Sequence, residues 1–315
     1  MTITLALTVG DPTGIGPEIT LKALQKLKDF PDIKFVVIGS LKALDATKEV
    51  LHLSLPKTPQ VTYMGIESDL PGTVAYKSIE TAVQLIAKRE ADGMVTGPIS
   101  KRNLLVAGLK AHGHTEILED LARSNFNMPE AKAEMLFVYK KFRLLLLTRH
   151  IPLHEVSRVF LKYENISKPV YILLGFLKER LAIVKPKLAI LGVNPHAGEV
   201  GGYEEKDVLM PLIESLERQG LAECTGPLPA DGFFRGLHPQ NSGYDAVIAA
   251  YHDQGLIPLK LLAGYEAVNV TIGLPFLRTS VSHGTAEDIA GQGIAREDSL
   301  LAAIRTAVEI LAKSK

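Results

Sequence analysis

The run Ala246-Val247-Ile248-Ala249-Ala250 and the turn after it, Tyr251-His252-Asp253-Gln254-Gly255, decide the fold class. The first five residues are continuously apolar, as in a strand buried on both faces. The turn then brings imidazole, carboxylate and amide groups together where the strand stops. Open α/β sheets collect their ligands at such strand ends.

The chain downstream of this turn stays rich in chemistry. Lys260, Asn269, Gly273-Leu274-Pro275, Arg278-Thr279-Ser280 and His283-Gly284-Thr285-Ala286-Glu287-Asp288-Ile289-Ala290-Gly291 follow within a short span. A hydrophobic core has no use for that mixture, whereas a site for a charged small molecule does. Lys260, Asn269 and Arg278 could grip a phosphate or carboxylate, the arginine in bidentate fashion. Read structurally, they are a solvated salt-bridge set.

Working back to the start, Ile3, Leu5, Leu7 and Val9 alternate with smaller or polar residues and predict a strand. Gly10-Asp11-Pro12-Thr13-Gly14-Ile15-Gly16-Pro17-Glu18 follows, with Pro17 suited to open a helix. Strand, glycine loop and helix can aim backbone N–H groups at a ligand. The spacing is neither GxGxxG nor GxxxxGK[ST], so a dinucleotide loop of the usual kind is not supported, and a tight structural turn is the other reading. Further strands are predicted at Phe35–Gly39, Phe142–Thr148 and Leu188–Gly192, and Asp92–Lys101 reads as a short strand ending in the Gly97-Pro98 turn and a lysine. Apolar stripes through Val74–Ile86, Val156–Phe160, Val170–Leu177, Val208–Leu216 and Leu300–Leu311 predict helices. Strands alternate with helices throughout, which is an α/β pattern. In His112-Gly113-His114-Thr115-Glu116 the side chains could donate to a phosphate, or Thr115 could cap a helix.

Composition excludes several function classes. The chain has 315 residues, enough for two domains, and 35 Lys plus Arg against 35 Asp plus Glu. No basic block supports affinity for nucleic acid. No apolar run approaches the ~20 residues of a membrane helix. The single cysteine, Cys224, excludes an internal disulfide framework and fits a reducing compartment, so a cytoplasmic enzyme or small-molecule binder is expected.

His150, His196 and His252 each follow a separate strand, in a chain with only nine histidines. Convergence on one site explains this better than accident, and three imidazoles with open positions suit zinc or another borderline divalent ion. Such an ion would stabilise a developing alkoxide. Asp253, beside His252, could accept a proton or orient a ligand.

Taken in order, GDPTGIGPE from Gly10, VTGPISK from Val95, GHTE from Gly113, NPHAGE from Asn194, YHDQG from Tyr251 and HGTAEDIAG from His283 resemble the 4-hydroxythreonine-4-phosphate dehydrogenase family of vitamin B6 biosynthesis. The resemblance spans essentially the whole chain. It implies a two-domain isocitrate/isopropylmalate dehydrogenase-like α/β fold with the active site in the interdomain cleft. Residues 1–105 with 266–315 would form the nucleotide-binding domain, and 106–265 a second domain carrying the metal ligands and dimer interface. It implies NAD or NADP held by Gly273, Leu274, Pro275, His283, Gly284, Thr285, Ala286, Asp288 and Gly291. A zinc, magnesium or cobalt ion would sit on His150, His196 and His252. A small phosphorylated hydroxy acid would meet His114, Thr115, Lys260, Asn269 and Arg278, with Asp231, Asp253 and Lys260 as catalytic candidates. A homodimer with its active site at the subunit interface is also implied, with no nucleic acid or membrane partner. The implied reaction is oxidation of 4-phosphooxy-L-threonine, followed by decarboxylation of the 3-oxo acid. The alternatives are a paralogue acting on 4-phospho-D-threonate or 4-phospho-D-erythronate, and a non-catalytic metal-binding protein. Two positions depart from the family pattern: Gly232, where the family usually has threonine, and Ser282, where it usually has aspartate.

Overall fold

The computed structural model describes residues 2–109, 113–199, 202–240 and 242–314; His112 and Gly201 lie outside them. The chain forms two compact units, one built from residues up to Ala133 together with Val268–Lys313, the other from Glu134–Ala267.

The first unit begins with β1 (Ile3–Thr8), α1 (Gly16–Leu24), β2 (Ile33–Gly39), α2 (Leu41–Leu51), β3 (Val61–Gly65), α3 (Pro71–Ala87), β4 (Gly93–Thr96), α4 (Lys101–Val106) and α5 (His114–Phe126). The second unit follows with β5 (Glu134–Tyr139), β6 (Phe142–Leu146), α6 (Leu153–Phe160), α7 (Tyr163–Leu181), β7 (Lys187–Leu191), α8 (Met210–Arg218), β8 (Glu223–Leu228), α9 (Ala230–Arg235), β9 (Ala246–Ala249) and α10 (His252–Ala263). The chain returns to the first unit as β10 (Val268–Ile272), β11 (Leu277–Val281) and α11 (Asp298–Ser314).

Strand order in the first unit is β3-β2-β1-β4-β11-β10. All neighbours are parallel except the β10–β11 pair. In the second unit the order is β5-β6-β9-β7-β8, with only β5–β6 antiparallel. Leu5, Leu7, Val37, Met94 and Val95 are fully shielded from solvent in the first sheet, as are Leu144, Ile190 and Val247 in the second. Parallel strands covered on both faces need such unbroken apolar runs.

Three elements gave little sequence signal. β3 is nowhere fully buried, and α2 buries only Leu44. β8 carries Gly226 and Pro227 inside it. The domain boundaries inferred from resemblance need correction at the first crossing. Residues 113–133 belong to the first unit, not the second, because Ile117, Leu118, Leu121 and Ala122 of α5 pack with Ile79, Ala82 and Val83 of α3. The Glu119 carboxylate also accepts the Ala133 amide at 2.9 Å. Among the described residues no helix is long and apolar enough to cross a membrane.

Candidate active site

In the second unit β6, β9 and β7 are adjacent and parallel, with Leu146 beside Ala249 and Ile190 beside Ile248. His150, His252 and His196 therefore leave the same end of one sheet, each a few residues past its strand. Pairing continues beyond β6: Thr148 donates both its amide and its hydroxyl to the Ala250 carbonyl, at 3.1 and 2.8 Å. The backbone then turns sharply. His150 has φ 31°, His196 φ 56° and Ala197 φ 53°. Non-glycine residues in this region carry roughly 1–3 kcal/mol of strain and cluster at functional sites.

The rings of His150 and His252 lie 5.8 Å apart, inclined by 46°. Both line a pocket of about 340 Å³ with Thr148, Arg149, Tyr251 and Asp253. Arg149 is held by Glu134 at 2.6 Å. Asp253 Oδ1 contacts His252 Nδ1 at 2.6 Å, an arrangement that orients the ring and leaves Nε2 without this contact. His196 is not gathered with them: among the described residues no three His, Cys, Asp or Glu side chains stand close enough to hold an ion. By donor type, imidazoles at a common sheet end suit a divalent ion, and two of the three rings stand 5.8 Å apart. Lys260 on α10 and Asp231 on α9 are exposed. Gly232 has open space where a side chain would begin, so packing does not impose this departure.

In the first unit Arg278 is only 2% exposed and has neutral partners. Its Nε and Nη2 donate to Thr96 Oγ1 at 2.9 and 2.7 Å, and Nη1 donates to Thr271 Oγ1 at 3.0 Å. Burial pushes its pKa down to about 9. His114 opens α5, and burial together with the Arg278 charge holds its pKa well below the usual histidine range, against a raising hydrogen bond to the Gly97 backbone. His114 Nε2 and Asn269 Oδ1 are buried without a hydrogen-bond partner. Asn269 shares a strand face with Thr271, which Arg278 holds. A buried cation beside two orphaned polar atoms is the chemistry of a site for an anion that also carries hydrogen-bonding groups.

Thr115 does not cap α5, as it lies inside the first turn, and the Glu116 carboxylate instead accepts the Gly113 amide at 2.8 Å. The Gly10–Glu18 segment proves to be a structural anchor. Gly10 has φ 85°, and a Cβ there would lie 2.3 Å from the Pro98 carbonyl. Ile15 donates its amide to the Thr285 carbonyl at 2.9 Å, which fixes the start of the His283–Gly291 loop. Glu18 and Lys22 fix its far side at Gly293 and Ala295. Within the loop, His283 Nδ1 contacts the Gly284 carbonyl at 2.9 Å, Ala286 has φ 43° and Gly291 φ 75°. Gly273, Leu274 and Pro275 form the turn between β10 and β11, with Gly273 at φ 85°. The Glu18–Lys22 spacing is an ordinary i,i+4 helix pair in sequence; nothing there reveals a partner more than 270 residues away.

A family model described as pyridoxal phosphate biosynthetic protein PdxA matches residues 8–307. The 4-hydroxythreonine-4-phosphate dehydrogenase of Sulfurihydrogenibium sp. (strain YO3AOP1) is 38% identical over 327 residues, covering 97% of this chain and 98% of its own. That of Thermosynechococcus vestitus is 41% identical over 331 residues, with 96% and 95% covered. The crystal structure of 4-hydroxythreonine-4-phosphate dehydrogenase from Klebsiella pneumoniae superposes with a TM-score of 0.84 at 32% identity, covering 98% of this chain and 100% of that one.

Proposed function

Because the chain belongs to the pyridoxal phosphate biosynthetic protein PdxA family, we propose that it is a 4-hydroxythreonine-4-phosphate dehydrogenase, oxidising 4-phosphooxy-L-threonine with NAD or NADP. The observation that carries this reading is the buried Arg278, which has hydroxyl partners and orphaned acceptors beside it. A phosphorylated amino acid supplies the anion and the donors that this arrangement lacks.

His150, His196 and His252 would hold a zinc, magnesium or cobalt ion. Bound there, a divalent ion supplies positive charge for a developing alkoxide, and NAD(P) supplies the hydride acceptor. Arg278 neutralises substrate charge. His114 stays neutral; its N–H is engaged by the Gly97 backbone, so Nε2 accepts from a substrate hydroxyl or ammonium group. Thr115, Asn269 and Lys260 complete the substrate contacts. Asp253 is the first candidate for proton transfer because it already orders His252, with Asp231 and Lys260 as further candidates. Gly273–Pro275 and His283–Gly291 would cradle the nucleotide. A second copy of the chain would complete the assembly. Ile257 and Leu261, one turn apart on α10, and Tyr265 just after it are 56%, 82% and 57% exposed, an apolar strip suited to burial against a partner.

The test is NAD(P) reduction by the purified protein with 4-phosphooxy-L-threonine, 4-phospho-D-threonate and 4-phospho-D-erythronate, each with added zinc, magnesium or cobalt. Turnover of the first substrate is expected. Turnover confined to either sugar-acid phosphate would reassign the enzyme to a paralogous activity, and ligand binding without reduction would make it a binding protein.

A further inference from the structure

We propose that Gln254 is a positioning residue, setting the spacing between the start of α10, which carries His252, and the strand end that leads to His196. This inference rests on the metal-site reading above. Gln254 Oε1 accepts the Ala250 amide at 2.7 Å, and its Nε2 donates to the Gly192 carbonyl at 2.6 Å. Ala250 directly follows β9 and Gly192 directly follows β7, the neighbouring parallel strand. The last paired residues there are Ile190 and Ile248. Beyond them the primary amide of Gln254 bridges the two main chains. The amide has one orientation only, because a backbone N–H can only donate and a carbonyl can only accept.

The segment that Gln254 holds is gripped from its other side too. Glu205 Oε1 accepts the amides of Val193 and Asn194, both at 2.7 Å. The Asn194 side chain donates to Glu204 at 3.1 Å and to Glu205 at 2.9 Å. Glu204 in turn takes the hydroxyl of Ser157 on α6, the helix that follows His150. A Cβ on Gly192 would lie 2.8 Å from Ala197 Cα, so the chain folds back tightly here before the left-handed His196 and Ala197. With Val193 and Asn194 held by Glu205, a shift of the Gly192 carbonyl moves the start of the His196 turn relative to His252. Gln254 itself touches neither imidazole and acts through backbone alone.

The isosteric Gln254→Glu keeps the acceptor for Ala250 but sets an oxygen against the Gly192 carbonyl, and Gln254→Met removes both contacts. Co²⁺ is titrated into metal-stripped full-length wild type, both variants and His252→Ala, with visible d–d absorption and calorimetry as readouts and thermal melting alongside. Both Gln254 variants are expected to bind Co²⁺ roughly 10- to 100-fold more weakly, with an altered d–d spectrum, while Gln254→Glu melts lower than wild type but stays folded at the titration temperature. If Gln254→Met fails to fold, Gln254→Glu alone decides. Co²⁺ binding that His252→Ala abolishes but both Gln254 variants leave within about twofold, with an unchanged spectrum, overturns the positioning role alone. Wild type that takes up no Co²⁺, or takes it up unchanged after His252→Ala, overturns the metal reading and this inference with it.

Discussion

Glu18 Oε1 accepts the Ala295 amide at 2.8 Å across 277 residues of sequence, while Lys22, bound to the same carboxylate at 2.8 Å, donates to the Ala295 carbonyl at 2.6 Å. One i,i+4 pair on α1 thus satisfies both backbone polar groups of the distant Ala295 and ends the His283–Gly291 loop at a fixed point. Glu18→Ala is expected to cost about 3 kcal/mol, because it strands buried donors and the Lys22 charge. Chemical denaturation measures that cost. Steady-state kinetics on the folded fraction are expected to show a raised KM for NAD(P) and an unchanged KM for the phosphorylated substrate. Equal changes in both constants would remove the loop from nucleotide binding.

Arg278 is a cation held by hydroxyls, an arrangement that costs stability in the free protein. Arg278→Met is expected to melt no lower than wild type while losing at least about 100-fold in kcat/KM, equivalent to ~2.7 kcal/mol of transition-state binding. A variant that loses stability and keeps its kcat/KM would make Arg278 a structural residue.

His114 gives a signed pH dependence. Its folded-state pKa lies below that of the unfolded chain. As the pH falls from about 7 towards 5 the unfolded chain gains a proton that the folded one refuses, so stability falls with pH over that window. In His114→Phe this part of the slope is expected to vanish, which denaturation at several pH values would show. Parallel slopes for the two proteins would contradict the neutral assignment.

The left-handed backbone at His196 separates ligation from stability. His196→Gly is expected to abolish metal uptake and to stabilise the metal-free protein by about 1 kcal/mol, since glycine adopts this conformation without strain. His196→Ala is expected to abolish uptake without the gain. Elemental analysis and melting of chelated protein check both, and uptake retained in either variant would remove His196 from the ligand set.

For the apolar strip on α10, Leu261→Asp is expected to shift the protein from dimer to monomer in sedimentation velocity. A wild-type monomer, or a variant that remains dimeric, would place self-association elsewhere or exclude it.

The sequence by itself determined the α/β class, because strands buried on both faces must be continuously apolar. It also marked strand ends as chemically loaded, since core residues are not chosen from His, Asp, Arg and Asn. His150, His196 and His252 stood out as candidates in this way because each follows the end of an apolar run. Only the tertiary structure decided which residues serve which. It made β6, β9 and β7 neighbours, which puts those histidines at one end of the sheet, and it moved α5 into the first unit through its packing on α3. It also turned Glu18 from a helix-start residue into the clasp of a loop, and Gln254 from a turn residue into a bridge between strands. Residue type and local spacing report burial and backbone preference. A hydrogen bond to a distant peptide leaves no trace in either, because every residue offers the same N–H and C=O, and only the fold brings a particular one within reach.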